Sequence, residues 1–274
     1  MNLPGDVDPI TVAARCVLLD ALEALGDLRQ SMVLVGAQAV YVHTGGSSLA
    51  VAEYTTDADL AIDPRSIAEE PKLDAVLTSA GFRKTDQPGS WVSTRHSNEP
   101  IPVDFLVPER LGGRRGRAAN VPGQPANSAR QVRGLEGALV DNTRRHVRSL
   151  DTDTRTFEVR VAGPGALVVA KIHKISERLE TPRSHDKDAL DVYRILRTTE
   201  PRDLADRMKS LRQSDLASDV TISALESFST LFSSTGAPGT QMVLRATAGL
   251  EPQEETARSA VVLAENLMAA LRTT

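Results

Sequence analysis

Two aspartates near the start of the chain show the clearest chemical signal. Asp57 and Asp59 alternate with apolar residues in the run TTDADLAID, which begins at Thr55. This alternation is typical of a β-strand with two unlike faces, so both carboxylates are expected on the same face. Carboxylates held that close repel each other, and a shared Mg²⁺ ion relieves the repulsion where phosphates are handled. A D-x-D pair also occurs where it only flanks a turn or solvates an exposed strand, so the pair alone does not decide between these interpretations.

A third carboxylate, Asp104, lies in the otherwise apolar run IPVDFLVP. In a buried strand this side chain needs a partner or a cation, whereas in a half-exposed strand it points to solvent. The order of the motifs favours the first interpretation. A glycine turn at Gly36 precedes a helix, the D-x-D strand follows, and the strand with Asp104 comes next.

A group of basic residues follows later in the chain, in the run ALVVAKIHKISERL. Its helical periodicity places Lys171, Lys174 and Arg178 along one helix face. Asp188 and Asp191 lie three residues apart on the next predicted helix and are able to pair with these cations. A triphosphate site and a structural ion-pair network both account for this pattern. The D-x-D pair favours the triphosphate site.

The elements that position these residues follow from the apolar periodicity. It predicts helices over residues 10–25, 37–46, 71–80, 166–179, 185–197, from about 202, and over 215–232 and 254–271. It predicts strands over residues 32–35, 55–63, 91–93, 101–107 and 156–161. The chain is therefore expected to have an α/β (α+β) fold, with a mixed sheet and helices in residues 1–162. A mainly helical C-terminal lobe, residues 163–274, would contribute Lys171 and Asp188 to the site.

Composition excludes several classes of protein. The 274 residues are 41% hydrophobic, which is enough for a core, but only 3% aromatic, which disfavours a base-stacking platform. The net charge of −4 argues against a protein that coats nucleic acid through its overall field. One cysteine, Cys16, excludes an internal disulfide and favours a reducing compartment, so a cytoplasmic location is expected. Neither a membrane span nor a signal peptide is predicted.

Residues 110–148 form a basic segment in an otherwise acidic chain. They contain nine arginines against Glu136 and Asp141, a net charge of nine minus two, or +7. Glycines and prolines between residues 112 and 125 predict a loop here, and we take residues 110–148 as an Arg-rich loop. Arg114, Arg115 and Arg117 are the candidates for contact with a nucleic-acid backbone. An exposed loop that only adds solubility is the alternative interpretation.

Five runs together resemble the nucleotidyltransferase superfamily, specifically the AbiEii and MenT-like toxin nucleotidyltransferases. They are VGAQAV from 35, TTDADLAI from 55, VDFLV from 103, KIHKISER from 171 and HDKDALDVYRIL from 185, so the resemblance covers residues 32–196. It implies a nucleotidyltransferase-like mixed sheet. It also implies Mg²⁺ and a nucleoside triphosphate (NTP) at Asp57 and Asp59, with Asp104 in the same metal-binding cluster or as the acceptor of a proton. The lysine and the helix-borne aspartate of the family correspond to Lys171 and Asp188. The nucleotide-binding residues that follow are Gly36, Thr55, Lys171 and Arg178.

The activity implied by this resemblance is transfer of a nucleoside monophosphate from an NTP to an acceptor hydroxyl, with release of pyrophosphate. The family resemblance further implies a toxin with a cognate antitoxin protein, and for its MenT-like members the acceptor is the 3′ end of tRNA. Two alternatives stay open. One is transfer to a small molecule such as an aminoglycoside, for which an acidic acceptor groove is expected. The other is a non-catalytic binding protein with this fold, against which the intact carboxylate set argues.

Overall fold

The computed structural model of the protein describes residues 8–45, 54–113, 116–179 and 186–273. An eight-stranded mixed sheet lies at the centre of the N-terminal part. In chain order the strands are β1 (Met32–Val35), β2 (Ala58–Ile62), β3 (Arg83–Lys84), β4 (Ser90–Ser93), β5 (Ile101–Pro108), β6 (Arg130–Val132), β7 (Asn142–Arg148) and β8 (Thr156–Ala162). Their order in the sheet is β3-β4-β5-β2-β1-β8-β7, and β6 pairs with β5.

The register of the central strands brings the predicted carboxylates next to each other. β2 pairs antiparallel with β1, which sets Asp59 opposite Val35. β2 also pairs in parallel with β5, which sets Asp59 opposite Asp104. All four residues of β1 are buried, because β1 lies between two other strands. Asp59 and Asp104 are therefore held on adjacent strands by the hydrogen bonds of the sheet.

Within the described ranges, three helices accompany the sheet and six follow it. They are α1 (Pro9–Leu25), α2 (Gly36–Thr44), α3 (Leu73–Ser79), α4 (Pro164–Ser176), α5 (Asp186–Thr198), α6 (Pro201–Gln213), α7 (Ser218–Leu231), α8 (Pro238–Ala246) and α9 (Gln253–Arg272). α1 packs against β5 and β2, and α2 packs against β2 and α5. The contact of α2 with α5 joins the sheet to the helical region. The predicted mixed sheet followed by a mainly helical C-terminal region is confirmed.

The structure differs from the predicted elements in several places. β2 begins at Ala58, so Asp57 lies directly before the strand and not within it. The nine-residue helix α8 and the two-residue strand β3 were not predicted, and two residues are too few for a clear apolar period. Among the residues described here, no helix is long and apolar enough to cross a membrane.

The basic segment of residues 110–148 is not one loop. β6 and β7 lie within it, and β7 pairs antiparallel with β8 over seven residues. β7 lacks an apolar alternation because it is an edge strand, and of its side chains only that of Val147 is buried. Charged side chains on such an edge discourage pairing with another sheet. Two of the three predicted nucleic-acid-binding residues, Arg114 and Arg115, lie outside the described residues.

Candidate active site

A cleft of about 580 Å³ lies between the sheet and helix α4. On the sheet side it is lined by the end of β1, by Gly36, by Asp59 and by parts of β5 and β6. On the other side it is lined by α4, including Lys171 and Lys174. The cleft therefore brings the central strands together with the predicted cationic helix.

Hydrogen bonds hold Asp57 at the entrance to β2. The hydroxyl group of Thr55 donates to Asp57 Oδ1 at 2.8 Å, and Thr55 is fully buried. The backbone N–H of Thr55 donates to Thr11 Oγ1 at 3.0 Å. Gln38 donates from Nε2 to the Asp57 carbonyl at 3.2 Å, and Arg15 Nε donates to Gln38 Oε1 at 2.6 Å. The segment before β2 is thereby tied to both α1 and α2, so the position of the Asp57 carboxylate is determined.

Gly36 leaves the space that the Asp59 side chain occupies. Its φ of +70° lies in the left-handed region, which favours glycine. A Cβ atom at Gly36 would lie 3.0 Å from Asp59 Cγ and closer still to Oδ2. Because α2 begins at Gly36, the backbone N–H groups of its first turn lie beside the carboxylate, where an anionic phosphate is also favoured.

The electrostatic environment of Asp59 disfavours its ionised form. Burial raises the pKa of Asp59 to about 7, with further contributions from the charge of Asp57 and, more weakly, of Asp104. Lys174 and Arg130 act in the opposite direction but do not compensate. The site therefore carries an excess of negative charge on half-buried carboxylates, and its donors are all oxygen atoms. These are the properties of a site for a hard divalent cation.

Asp104 has a different partner. Its Oδ2 accepts a hydrogen bond from Arg130 Nη2 at 2.7 Å, and its Oδ1 is buried without a hydrogen-bond partner among the described residues. Within that part of the chain, no group of three or more His, Cys, Asp or Glu side chains is placed to hold a metal ion. The structure thus places a guanidinium group against the third of the three predicted metal ligands, and metal binding by the set stays a prediction.

Lys171 is enclosed by carboxylates. Its Nζ donates to Asp188 Oδ1 and to Asp191 Oδ2, both at 2.7 Å, and its side chain is 6% exposed. Burial opposes the charge of the lysine, but Asp191 and Asp188 outweigh it and raise the pKa of Lys171. These contacts are those of the structural ion-pair network, one of the two interpretations that the sequence allows. A role of Lys171 in triphosphate binding stays a prediction.

The more accessible cations of the cleft lie further along the chain. Lys174 is 42% exposed, and its Nζ lies 3.4 Å from Asp188 Oδ1. Arg178 also lines the cleft, but α4 ends at Ser176, so Arg178 lies in the turn after the helix and not on its face.

The family to which the chain belongs follows from its sequence pattern. The pattern of a nucleotidyltransferase family matches residues 15–213, more than half of the chain. The chain belongs to the nucleotidyltransferase family. Two solved structures resemble it weakly. The antibiotic-resistance factor ANT(2″)-Ia has 11% sequence identity and a TM-score of 0.42, over 72% of this chain and 90% of that one. An antigenic nucleotidyltransferase-like protein from Paracoccidioides brasiliensis has 16% identity and a TM-score of 0.41, over 77% and 93%. No curated protein sequence gives a significant match.

In this nucleotidyltransferase, Tyr41 and Lys187 also support the site, and sequence reasoning did not find them. Tyr41 donates from its hydroxyl group to the Tyr54 carbonyl at 2.7 Å and accepts from the Tyr54 N–H at 3.1 Å, which ties α2 to the segment before Asp57. Lys187 lies in the first turn of α5, and its Nζ is 5.8 Å from the centre of the Tyr54 ring. Burial lowers the pKa of Lys187, and the charge of Asp57 opposes this effect. The only sequence signal for Lys187 was its position directly before Asp188.

Proposed function

We propose that this nucleotidyltransferase moves a nucleoside monophosphate from an NTP to a hydroxyl group of a nucleic acid, the 3′ end of tRNA. The supporting observation is the distribution of charge in the cleft. Asp59 lies at its sheet side, and basic side chains surround it. Those that line the cleft, apart from the neutralised Lys171, are Arg117, Arg130, Arg133, Lys174 and Arg178.

Asp57 and Asp59 would hold the divalent cation, which we propose to be Mg²⁺. Two observations support this fit: the raised pKa of Asp59 beside Asp57, and a donor set made only of oxygen. Such a cation, when bound, would neutralise charge on the triphosphate and act as a Lewis acid at the α-phosphate. The hydroxyl group of Thr55 keeps the Asp57 carboxylate oriented for this task.

The remaining steps depend on the chain's own groups. Gly36 and the first turn of α2 lie beside Asp59 and offer N–H groups to phosphate oxygens. Lys174 and Arg178 would bind the triphosphate from the side of α4. Lys171, held by Asp188, is proposed to fix the position of α5 relative to α4. The acceptor oxygen then bonds to the α-phosphorus, and the bond between this phosphorus and the oxygen that bridges the α- and β-phosphates breaks. Pyrophosphate leaves with the electron pair of the broken bond, and the hydroxyl proton is released.

The charge of the cleft favours a polyanionic acceptor over a polycationic one. Lys171 and Arg130 are paired with carboxylates outside the lining. Without these two, four basic side chains face three acidic ones, and the acidic ones are Asp59, Glu109 and Glu177. An aminoglycoside carries several positive charges, and such a lining would repel it. A phosphate backbone would be attracted, with a strong dependence on salt.

The toxin role, the cognate antitoxin protein and a cytoplasmic location are the finer parts of this proposal. They rest on the resemblance of the motifs to AbiEii and MenT-like proteins. Induced expression is then expected to arrest growth of a bacterial host, and the Asp57→Asn variant is expected to be tolerated. Growth arrest by both proteins at equal expression would contradict a toxic activity that depends on this site.

The direct test is incubation of the protein with each labelled NTP, Mg²⁺ and either total tRNA or a mixture of aminoglycosides. We expect label on tRNA, and none with the Asp57→Asn variant. Asp63→Asn is the matched control, since Asp63 follows the other end of β2 and bonds to Arg65 outside the cleft. Label on the aminoglycosides but not on tRNA would refute the proposed acceptor. Label on tRNA from the Asp57→Asn variant would refute the proposed site.

A further inference from the structure

Asp104 is the residue at which the family-based expectation and the geometry disagree. Its backbone is in register with that of Asp59, the place where a third metal ligand is expected. Its carboxylate, however, is bound to Arg130 at 2.7 Å, and the two side chains are only 14% and 21% exposed. An ion pair that is mostly removed from water is costly to break, because either partner alone would be left as a poorly hydrated charge. Arg130 is therefore a built part of the site.

The backbone around Arg130 supports this placement. β6 pairs in parallel with β5 and sets Arg130 opposite Leu106, two residues beyond Asp104. Gly89 permits the close approach, because a Cβ atom there would lie 2.7 Å from the backbone nitrogen of Arg130. The N–H of Gln131 donates to the Arg117 carbonyl at 2.9 Å, which brings a second arginine of the cleft beside the first. Hydrogen bonds of the sheet thus fix the origin of the Arg130 side chain.

The charge at Asp104 is already compensated by this arrangement. A divalent cation on the same carboxylate would either displace the guanidinium group from Oδ2 or take the unpartnered Oδ1, where it would lie close to the guanidinium group with unfavourable repulsion. Displacement would also leave a mostly buried guanidinium group without its partner, which is costly. Of the three predicted carboxylates, this leaves Asp57 and Asp59 to bind the cation.

The guanidinium group keeps donors for a further ligand. It has five N–H groups, and one hydrogen bond of its side chain to the described residues, through Nη2, goes to Asp104. Arg130 lines the cleft beside Asp59. A planar guanidinium group fixed by a carboxylate matches the oxygen atoms of a phosphate and loses little side-chain entropy when it binds one.

We infer that Asp104 is a positioning residue that holds Arg130 in the cleft, and that Arg130 binds phosphate oxygens of a substrate. This inference rests on the proposed nucleotide transfer, because the phosphates belong either to the NTP or to the acceptor nucleic acid. It removes Asp104 from the metal ligands. It makes Arg130, which sequence reasoning treated only as one charge of a basic loop, a residue that contacts substrate.

The test measures binding of metal and of phosphate separately, without turnover. The proteins are the wild type, Asp104→Asn, Arg130→Gln and the double variant, with Asp57→Asn as the metal-binding reference. Mn²⁺ affinity is measured by electron paramagnetic resonance. ATP affinity and the affinity for a tRNA 3′-end oligonucleotide are measured by calorimetry. Arg65→Gln, an exposed arginine paired with Asp63 outside the cleft, is the control.

We expect Asp104→Asn to keep the Mn²⁺ affinity of the wild type within about threefold, whereas Asp57→Asn loses at least about tenfold. Arg130→Gln is expected to weaken one of the two phosphate ligands about tenfold, the usual effect of losing a charge-assisted hydrogen bond. Loss for ATP assigns Arg130 to the triphosphate, and loss for the oligonucleotide assigns it to the acceptor. Asp104→Asn is expected to reproduce the loss of Arg130→Gln, and the double variant to add nothing further.

Two results would overturn the inference. One is a loss of Mn²⁺ affinity in Asp104→Asn equal to that in Asp57→Asn, which would make Asp104 a metal ligand. The other is unchanged affinity of Arg130→Gln for both ATP and the oligonucleotide. The double variant covers the case in which a single variant does not fold, because it leaves neither charge without its partner. Failure of the proposed transfer reaction would appear in the labelling experiment and not in these binding constants.

Discussion

Replacing Asp59 by Asn is expected to stabilise the metal-free protein at neutral and alkaline pH. Burial beside Asp57 raises the pKa of Asp59 from its ordinary value of 3.8 to about 7. Between these two values the folded protein holds a proton that the unfolded chain has lost. The free energy of unfolding therefore falls as the pH rises from about 4 to 7, and the deficit is complete above pH 7.

The size of the effect follows from these two pKa values. At about 1.36 kcal/mol per pH unit, the interval from 3.8 to about 7 corresponds to up to about 4 kcal/mol. An asparagine keeps the shape of the side chain and has no charge to bury. The gain of Asp59→Asn is therefore expected to approach about 4 kcal/mol at pH 8 in EDTA. At pH 5 it should be less than about 2 kcal/mol, and near pH 3.5 it should vanish.

Urea unfolding followed by fluorescence measures this gain. Trp91 is the single tryptophan of the chain and is buried in β4, so its emission reports on the sheet. Added Mn²⁺ should stabilise the wild type and not Asp59→Asn, since ligand binding to the folded state adds stability. Asp63→Asn is a control for which the opposite change in stability is expected. Hydrogen bonds from Arg65 outweigh burial at Asp63 and lower its pKa, so this variant should lose stability at neutral pH. An Asp59→Asn protein no more stable than the wild type at pH 8 in EDTA would refute the reasoning.

Three further predictions follow from the cleft. Gly36→Ala should lower Mn²⁺ affinity at least about tenfold and cost about 1–2 kcal/mol of unfolding free energy, because the new Cβ meets the Asp59 carboxylate at a positive φ. Wild-type affinity in a Mn²⁺ titration would contradict the close approach of Gly36 to Asp59. In urea unfolding, Lys171→Ala should cost about 3–5 kcal/mol, since it leaves two buried carboxylates unpaired, whereas Lys174→Ala, at a side chain that is 42% exposed, should cost less than about 1 kcal/mol. Equal losses would show that burial does not set the strength of these ion pairs. Arg117→Ala should make the plot of log tRNA affinity against log salt concentration shallower by about one unit of slope, while ATP affinity stays unchanged. An unchanged slope in the salt series would remove Arg117 from the acceptor site.

The sequence by itself determined the order of elements around the site and the residue types that they present. The apolar run of β1, the glycine turn and the helix after it were each predicted from local periodicity, and the structure confirms them over Met32–Val35 and Gly36–Thr44. Local signals succeed here because the pattern of buried and exposed residues along one element depends on that element's own period. The nucleotidyltransferase activity expected from the family resemblance of the motifs is borne out by the family match.

Only the tertiary structure decided which charges neutralise one another. Asp104 and Arg130 are separated by 26 residues, and Lys171 meets Asp188 and Asp191 on a different helix. No periodicity encodes these pairs, because they depend on which elements become neighbours in the folded chain and how much water they exclude. Sequence reasoning grouped Asp104 with the metal ligands and Lys171 with the phosphate ligands from residue type, chain order and the family resemblance. Packing gave each of them a buried or half-buried partner of opposite charge, since an isolated charge is too costly to bury.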